Sequence, residues 1–171
     1  MASDSAEGNP LRPVTRFVAD AMLARLARWL RALGFDTLFD PAIDDPQLVQ
    51  LAERDQRWLL TRDRALVAQR RPSRSVLIAA DAPLEQLREV VERCQPASPA
   101  ALFTRCLVCN CLLQEVSRAS AAPWLPERAR TLPDPVRYCP RCQRHYWPGT
   151  HTWRMRERLA RTLPEWFSER S

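Results

Sequence analysis

Apolar and polar positions follow two different periods along the first half of the chain. Four short apolar runs have the length and the flanking turn residues of buried strands; they cover residues 16–20, 35–40, 57–61 and 75–79. Between these runs, apolar residues recur every three or four positions, as on one face of a helix, and the clearest such stretch ends at Gly34. Strands that alternate with helices predict an α/β fold, with a parallel sheet flanked by helices.

An aspartate stands at or just beyond the end of each predicted strand, namely Asp20, Asp40, Asp63 and Asp81. Parallel strands all point the same way, so we expect these acids to converge at one edge of the sheet. Two carboxylates about 4 Å apart repel by roughly 4 kcal/mol at an effective dielectric constant of about 20, so a cluster of them needs a cation. Mg²⁺ or Mn²⁺ fits this role and can activate water against a phosphodiester. The pattern indicates nuclease chemistry.

Each acid also has a structural interpretation. Asp44, Asp45 and Asp63 precede helical turns, where aspartate commonly caps the helix. Asp40 and Asp81 are ordinary turn residues. For any one of these acids alone the structural role is the commoner one, and it is their coincidence on one sheet edge that favours a metal site.

Two other kinds of site are excluded in this half of the chain. Dinucleotide and P-loop sites require a glycine-rich turn after the first strand, and the three glycines of the chain, Gly8, Gly34 and Gly149, do not supply one. A nucleophilic triad is excluded as well, because this half contains no histidine and no serine in a strand-to-helix elbow.

The composition favours a polyanionic partner. The net charge is +6, the pI is near 9.5, and all 26 basic residues are arginine, although a merely soluble basic surface fits the charge equally well. The chain contains no run of about 18 apolar residues, the length needed to span a membrane. The first residues lack the apolar run of a signal peptide, so we expect residues 1–15 to be disordered and the protein to be cytoplasmic. Six cysteines in that compartment favour metal ligands or free thiols over disulfides.

Two CxxC pairs in the second half predict a structural zinc site. Cys106 and Cys109 form the first pair, and Cys139 and Cys142 form the second. Four thiolates close a tetrahedral site, although iron in a rubredoxin-like arrangement is an alternative. The pairs are separated by 29 residues, more than the usual range of about 15 to 20, and we interpret residues 117–137 as an extended loop. A segment with so little core should need the metal to fold.

The remaining thiols and imidazoles are not needed by this site. Cys111 would replace CxxC by a looser spacing, so we interpret it and Cys94 as ordinary thiols. With four cysteines available, His145 and His151 are not expected to be ligands.

Arginines and aromatic residues interleave after the second CxxC pair, a mixture that suits single-stranded nucleic acid. The candidates for RNA contacts are Arg144, Tyr146, Trp147 and Arg154. Trp147 could equally well cover the small core of the cysteine-containing segment. Arg62 could equally be a phosphate contact or a structural ion pair.

The residues "FVADAMLARLARWLRALGFDTLFD" and "DDPQLVQLAERDQRWLLTRDRALV" resemble the Mut-seven C-terminal ribonuclease family, a PIN-like fold with a C-terminal zinc ribbon. The resemblance covers roughly residues 16–153. It implies metal-dependent RNA cleavage by clustered acids. Matched residue by residue, it carries the acidic site onto Asp20, Asp45 and Asp63, and Asp81 is our candidate for a fourth acid.

We therefore expect a PIN-like nuclease domain over residues 16–95 and a linker over 96–102. A zinc ribbon over 103–153 and a basic helix or tail over 154–171 complete the predicted organisation. The predicted function is hydrolysis of RNA by aspartates that hold Mg²⁺ or Mn²⁺. The alternatives are a non-catalytic RNA-binding or adaptor module with a relict acidic site, and a toxin-like nuclease. The oligomeric state stays open.

Overall fold

A computed structural model describes residues 14–132 and 135–168 of the protein. The sequence predicts disorder for residues 1–15. Residues 1–13 of this stretch lie outside the described residues.

Four short strands form a parallel sheet in the order β2-β1-β3-β4. The strands are β1 (Arg16–Ala19), β2 (Asp36–Phe39), β3 (Trp58–Thr61) and β4 (Ser75–Leu77). The helices between and after them are α1 (Ala24–Leu33), α2 (Asp45–Arg54), α3 (Arg64–Arg70) and α4 (Pro83–Cys94). A single 3₁₀ turn, Ala21–Leu23, leads into α1. The predicted α/β fold with a parallel sheet flanked by helices is confirmed.

The sheet is buried on both faces because its strands are apolar at successive positions. In β1, Phe17 and Ala19 join the larger core beneath α1 and α4, whereas Val18 joins the smaller core beneath α2 and α3. In β3, Leu60 and Leu59 divide between the two cores in the same way. These positions therefore follow the two-residue period of a strand, with both sides apolar.

The second half contains an antiparallel three-stranded sheet in the order β5-β6-β7. Its strands are β5 (Gln114–Val116), β6 (Val136–Cys139) and β7 (Arg144–Tyr146). The segment between β5 and β6, predicted to be an extended loop, is folded over its described residues. It forms α5 (Arg118–Ala121) and two 3₁₀ turns, and its apolar residues pack into a third core of Ala121, Leu125, Ala129 and Val136. The prediction of an extended loop was wrong over these residues, because the apolar side chains between the prolines pack together into this core.

The last helix, α6 (Thr150–Thr162), packs against the first half of the molecule. Its buried residues Met155 and Leu159, with Leu163 just after it, belong to the larger core of the parallel sheet. The predicted division between residues 153 and 154 falls inside this helix. None of the helices in the described ranges is long and apolar enough to cross a membrane.

Strand β2 is an edge strand, and the segment that carries the first cysteine pair, residues 106–110, covers its outer side. The side-chain oxygen of Asn110 accepts a hydrogen bond from the backbone N–H of Thr37 at 3.0 Å, and its amide donates to Asp36 at 2.8 Å. From α1, buried Arg31 donates to the carbonyl of Thr37 at 2.9 Å and to that of Val108 at 2.9 Å. An open strand edge invites pairing with other chains, so this contact protects the sheet as well as joining its two halves.

Asp36 lies at the centre of this contact. Arg57 donates to its carboxylate at 2.8 Å, and the guanidinium of Arg105 lies 3.9 Å away. Burial raises the pKa of Asp36, but the hydrogen bonds from Arg57 and Asn110 outweigh it, and the pKa is held below its ordinary value. The stability that Asp36 contributes is therefore present above the ordinary carboxyl pKa and is lost as the pH falls through the lowered one.

Replacing Asn110 by glycine should lower the free energy of unfolding by about 1–3 kcal/mol. The reason is that the buried N–H of Thr37 and the carboxylate of Asp36 lose a partner. Glycine also suits the left-handed backbone of this residue, where φ is 69°, so conformational strain does not contribute to the loss. Urea unfolding monitored by circular dichroism measures it.

Gln143→Gly is the matched control for this variant. Gln143 follows the second CxxC pair as Asn110 follows the first, it has a φ of 55°, and it is exposed. We expect its free energy of unfolding to stay within about 0.5 kcal/mol of the parent. Equal losses in the two variants would contradict the assignment of Asn110 to the sheet edge.

Candidate active site and metal centre

Asp20 lies at the carboxyl end of β1 and is the most buried of the candidate acids, with 7% of its surface exposed. One oxygen of its carboxylate accepts the backbone N–H of Met22 at 2.9 Å, which caps the 3₁₀ turn. The other oxygen accepts the hydroxyl of Thr61 and the backbone N–H of Arg62, the latter at 3.0 Å. Three hydrogen-bond donors therefore fix the position of this buried carboxylate.

Thr61, the last residue of β3, links Asp20 to Asp63. Its hydroxyl donates to Asp20 and accepts the backbone N–H of Asp63 at 2.9 Å. Asp63 in turn caps α3, because one of its oxygens accepts the backbone N–H groups of Ala65 and Leu66 at 2.7 and 3.1 Å. Its other oxygen has no hydrogen bond within the described residues and is available to a ligand.

Asp20 and Asp63 therefore flank the switch point of the sheet. In the order β2-β1-β3-β4, the chain moves to one side of β1 with β2 and to the other side with β3. Parallel sheets bind ligands in the crevice at this point, outside the carboxyl ends of the strands. The ends of β1 and β3 thus place two acids where such a fold positions its site.

The start of α2 contributes two further acids with different roles. Asp44 caps the helix, since its carboxylate accepts the backbone N–H of Gln47 at 2.8 Å. Asp45 is the first helical residue and is exposed, with no hydrogen bond from its carboxylate to the described residues. The sequence left open which of the two caps the helix. The structure assigns the cap to Asp44 and leaves Asp45 available.

Asp40 and Asp81 are more loosely connected to the site. Asp40, after β2, accepts the backbone N–H of Ala42 at 2.9 Å, as a turn residue does. Asp81 is exposed and pairs with Arg62 at 2.5 Å, which is the ion-pair role considered for that arginine. Glu89 of α4 accepts two backbone N–H groups of the same loop, those of Ala79 at 3.0 Å and Ala80 at 3.1 Å.

The four paired cysteines form a compact metal-binding group. Their sulfur atoms all lie within 4.8 Å of one another, and no other group of three or more potential ligands in residues 14–132 and 135–168 is assembled as closely. Backbone amides of Cys109 and Cys142 point at the sulfurs of Cys106 and Cys139 at 3.5 and 3.3 Å, so each CxxC pair wraps around its first thiol. Four convergent sulfurs could hold a structural zinc ion, as predicted.

Tyr146 of β7 belongs to this metal centre. Its hydroxyl lies 3.1 Å from the sulfur of Cys106. Burial raises the pKa of Cys106, but the hydrogen bonds from Tyr146 and from the amides of Cys109 and Val108 outweigh it and lower the pKa to about 6. Burial likewise raises the pKa of Tyr146, so the phenol remains a donor. A thiol that ionises readily is suited to a divalent metal.

The other cysteines and the histidines lie outside this group. Cys111 and Cys94 are free thiols, and burial raises the pKa of Cys94 to about 12. His145 is stacked on Trp124, with 5.2 Å between ring centroids and 13° between ring planes. His151 lies 3.1 Å from a guanidinium nitrogen of Arg28.

The residues predicted to bind RNA occupy different environments. Arg144 and Arg154 are exposed, on β7 and α6 respectively. Trp147 is half-buried. It packs against the third core and also lines a groove between the ribbon and α6, so its position is compatible with a core role and with an RNA contact. The hydroxyl of Tyr146 faces the cysteines, which leaves only its ring for other contacts.

A family model described as the Mut7-C RNAse domain matches residues 15–159. The chain belongs to this family. Comparisons with curated proteins and with solved structures returned no match. The Mut7-C match spans the parallel sheet, the cysteine group and most of α6, and it indicates a ribonuclease-type function for the molecule.

Sequence reasoning missed two residues that organise the Mut7-C site. Thr61 connects the carboxylate of Asp20 with the backbone of Asp63. The sequence indicates this role only by a hydroxyl residue that ends a strand two positions before an aspartate. Asn110 joins the cysteine group to the sheet. Its position directly after a CxxC pair favours a left-handed backbone, but nothing local points to Thr37, 73 residues away.

Cys109→Ser should lower zinc binding strongly and destabilise the second half of the Mut7-C chain, because it removes one of four convergent sulfurs. Zinc-finger peptides gain on the order of 10 kcal/mol from their metal. Zinc content by mass spectrometry under native conditions and thermal unfolding measure the two effects. The matched control is Cys111→Ser, two residues away and outside the group, which should retain one zinc per chain. Equal zinc loss in both variants would contradict the assignment.

Proposed function

We propose that this protein is a metal-dependent ribonuclease whose site lies at the carboxyl edge of the parallel sheet. Asp20, Asp45 and Asp63 are the proposed ligands of Mg²⁺ or Mn²⁺, with Asp81 as an outer acid. The observation that supports the proposal is the hydrogen-bonded link at the switch point, which runs from the carboxylate of Asp20 through the hydroxyl of Thr61 to the backbone N–H of Asp63. The family match supplies the ribonuclease class.

The chain's own groups prepare this site for a cation. Asp20 is held in position by its three hydrogen-bond donors, while Asp63 keeps one oxygen without a hydrogen bond to the described residues after capping α3. Asp45 projects from the first turn of α2 without a competing partner among the described residues. A bound Mg²⁺ or Mn²⁺ would polarise the phosphate and lower the pKa of an attacking water.

We propose that the guanidinium group of Arg62 contacts a phosphate of the RNA. Its ion pair with Asp81 is largely exposed and worth only about 0–1 kcal/mol, so a phosphate could displace the carboxylate. The proposed role of Asp81 is therefore to hold Arg62 in the absence of RNA. The ribbon residues Arg144, Tyr146, Trp147 and Arg154 are proposed to assist RNA binding. We also propose a cytoplasmic location, because all six cysteines are free thiols.

One observation favours a second candidate, a non-catalytic RNA-binding module. Within the described residues, the carboxylates are not assembled into a group of three within 4.8 Å, as the cysteine sulfurs are. A cation would have to draw the three proposed acids closer together. Binding of RNA without cleavage at any concentration of Mn²⁺ would decide for this candidate.

Asp63→Asn should reduce RNA cleavage at least about 100-fold, since changes even outside the ligand shell of a metal cost about 10- to 100-fold. Asparagine caps a helix as well as aspartate does, so the stability of α3 should be preserved. Cleavage rates with Mg²⁺ and Mn²⁺, together with thermal unfolding, test both statements. The double variant Asp20→Asn/Asp63→Asn should abolish cleavage.

Asp44→Asn is the matched control, because Asp44 caps α2 through one oxygen as Asp63 caps α3. Its cleavage rate should equal that of the parent, whereas Asp45→Asn, one residue later, should lose activity. Parental rates in the double variant Asp20→Asn/Asp63→Asn would refute the acidic site altogether.

A further inference from the structure

A groove of about 830 Å³ lies between the ribbon, α6 and the middle of α1. Two tryptophans on its walls are largely exposed, Trp124 by 64% and Trp153 by 56%. Trp124 comes from the folded insert and Trp153 from α6, so two separate elements present large aromatic surfaces to the same space. Exposed apolar surface gathered in one concavity marks a binding site rather than a chance distribution.

One of the two exposed rings, that of Trp124, and the neighbouring Trp147 are held in place by contacts within the protein. The ring of Trp124 is nearly parallel to that of His145, which in turn contacts Tyr138 at 5.0 Å between centroids. Trp147 is anchored by the third core and borders the same groove. Rigid aromatic platforms lose little conformational entropy when a flat ligand stacks on them.

The charge of the groove is uniformly basic. Arg28 from α1, Arg144 from β7 and Arg156 from α6 line it, and no aspartate or glutamate does so among the described residues. Arg28 is oriented by its contact with His151 at 3.1 Å. Basic side chains interleaved with flat aromatic rings match a strand of alternating phosphates and bases.

We propose that this groove binds single-stranded RNA, with guanidinium groups on phosphates and bases stacked on Trp124 and Trp153. The inference rests on the proposed function for the identity of the ligand, and it names a binding site separate from the acidic edge. A duplex would not fit, because its bases are stacked on each other and cannot reach recessed rings.

The groove also has a direct route to the acidic edge along α1. Arg25 and Arg28 are exposed and three residues apart, so they lie on the same face of the helix. α1 begins at Ala24, directly after the 3₁₀ turn that Asp20 caps, so Arg25 lies in its first turn and Arg28 about 4.5 Å farther along the helix axis. A strand anchored in the groove therefore passes over Arg25 toward the acids. The groove sets the position of cleavage as well as the affinity.

The test measures binding of a fluorescent 12-nucleotide oligouridine to the full chain carrying Asp20→Asn/Asp63→Asn, so that cleavage does not interfere. Trp124→Leu and Trp153→Leu should each weaken binding roughly tenfold or more, whereas Trp124→Phe and Trp153→Phe should largely restore it, because only the aromatic side chain stacks on a base. Unlabelled duplex RNA should compete poorly.

Arginine variants test the charge separately. Arg144→Ala/Arg156→Ala should weaken binding and lower the salt dependence, by about 0.7 in the log-log slope for each phosphate that the variant no longer neutralises. The matched control Arg70→Ala/Arg74→Ala removes two exposed charges outside the groove and should leave the slope unchanged. Circular dichroism confirms that each variant is folded.

The outcomes separate this inference from the proposed function. Parental affinity in both leucine variants, or equal competition by duplex RNA, would overturn the groove even if the protein cleaves RNA normally. Loss of a concentration-dependent dimer in the leucine variants, measured by sedimentation, would overturn it in favour of a second copy of the chain. Normal binding by the parent without cleavage would instead refute the nuclease and leave the groove supported.

Discussion

The contact between Asn110 and the edge of β2 is the interaction on which the two halves of the molecule depend. A strand at a sheet edge carries backbone groups that must find a partner or remain open to other chains. Here the amide of Asn110 and the guanidinium of Arg31 satisfy the N–H and the carbonyl of Thr37. Because Asn110 follows Cys109 directly, its position is set by the CxxC turn. The cysteine group and the parallel sheet are therefore joined by direct hydrogen bonds.

The acidic edge illustrates how one residue serves both fold and chemistry. Asp63 caps α3 with one oxygen and offers the other, and Asp20 caps the 3₁₀ turn before α1 while it binds the end of β3. The structural and metal-binding interpretations of these acids are thus complementary rather than exclusive. At the start of α2, Asp44 caps the helix, and we propose that its neighbour Asp45 binds the metal. This double use of the acids follows from the topology. Helices that begin at the carboxyl ends of parallel strands need cap residues at the same edge of the sheet where ligands bind.

The last helix completes this arrangement. By packing Met155 and Leu159 into the core of the parallel sheet, α6 draws the ribbon against α1 and closes the wall of the basic groove. The insert between the cysteine pairs contributes the opposite wall through Trp124. In our proposals, RNA anchoring and RNA cleavage take place on different surfaces of one molecule, with α1 running between them.

Local patterns in the sequence determined the strands and helices, the α/β class and the cysteine pairs, because hydrophobic period, cap residues and CxxC spacing act over a few residues. The acids at the strand ends were predictable for the same reason, once parallel pairing was inferred. The tertiary structure decided which acid caps and which stays free, that the proline-rich insert has its own core, and that α6 belongs to the first core. It also decided the partners of Asn110, Arg62 and Tyr146. Each of these depends on contacts between residues far apart in the chain, for which side-chain packing in three dimensions, and no repeating pattern, selects the partner.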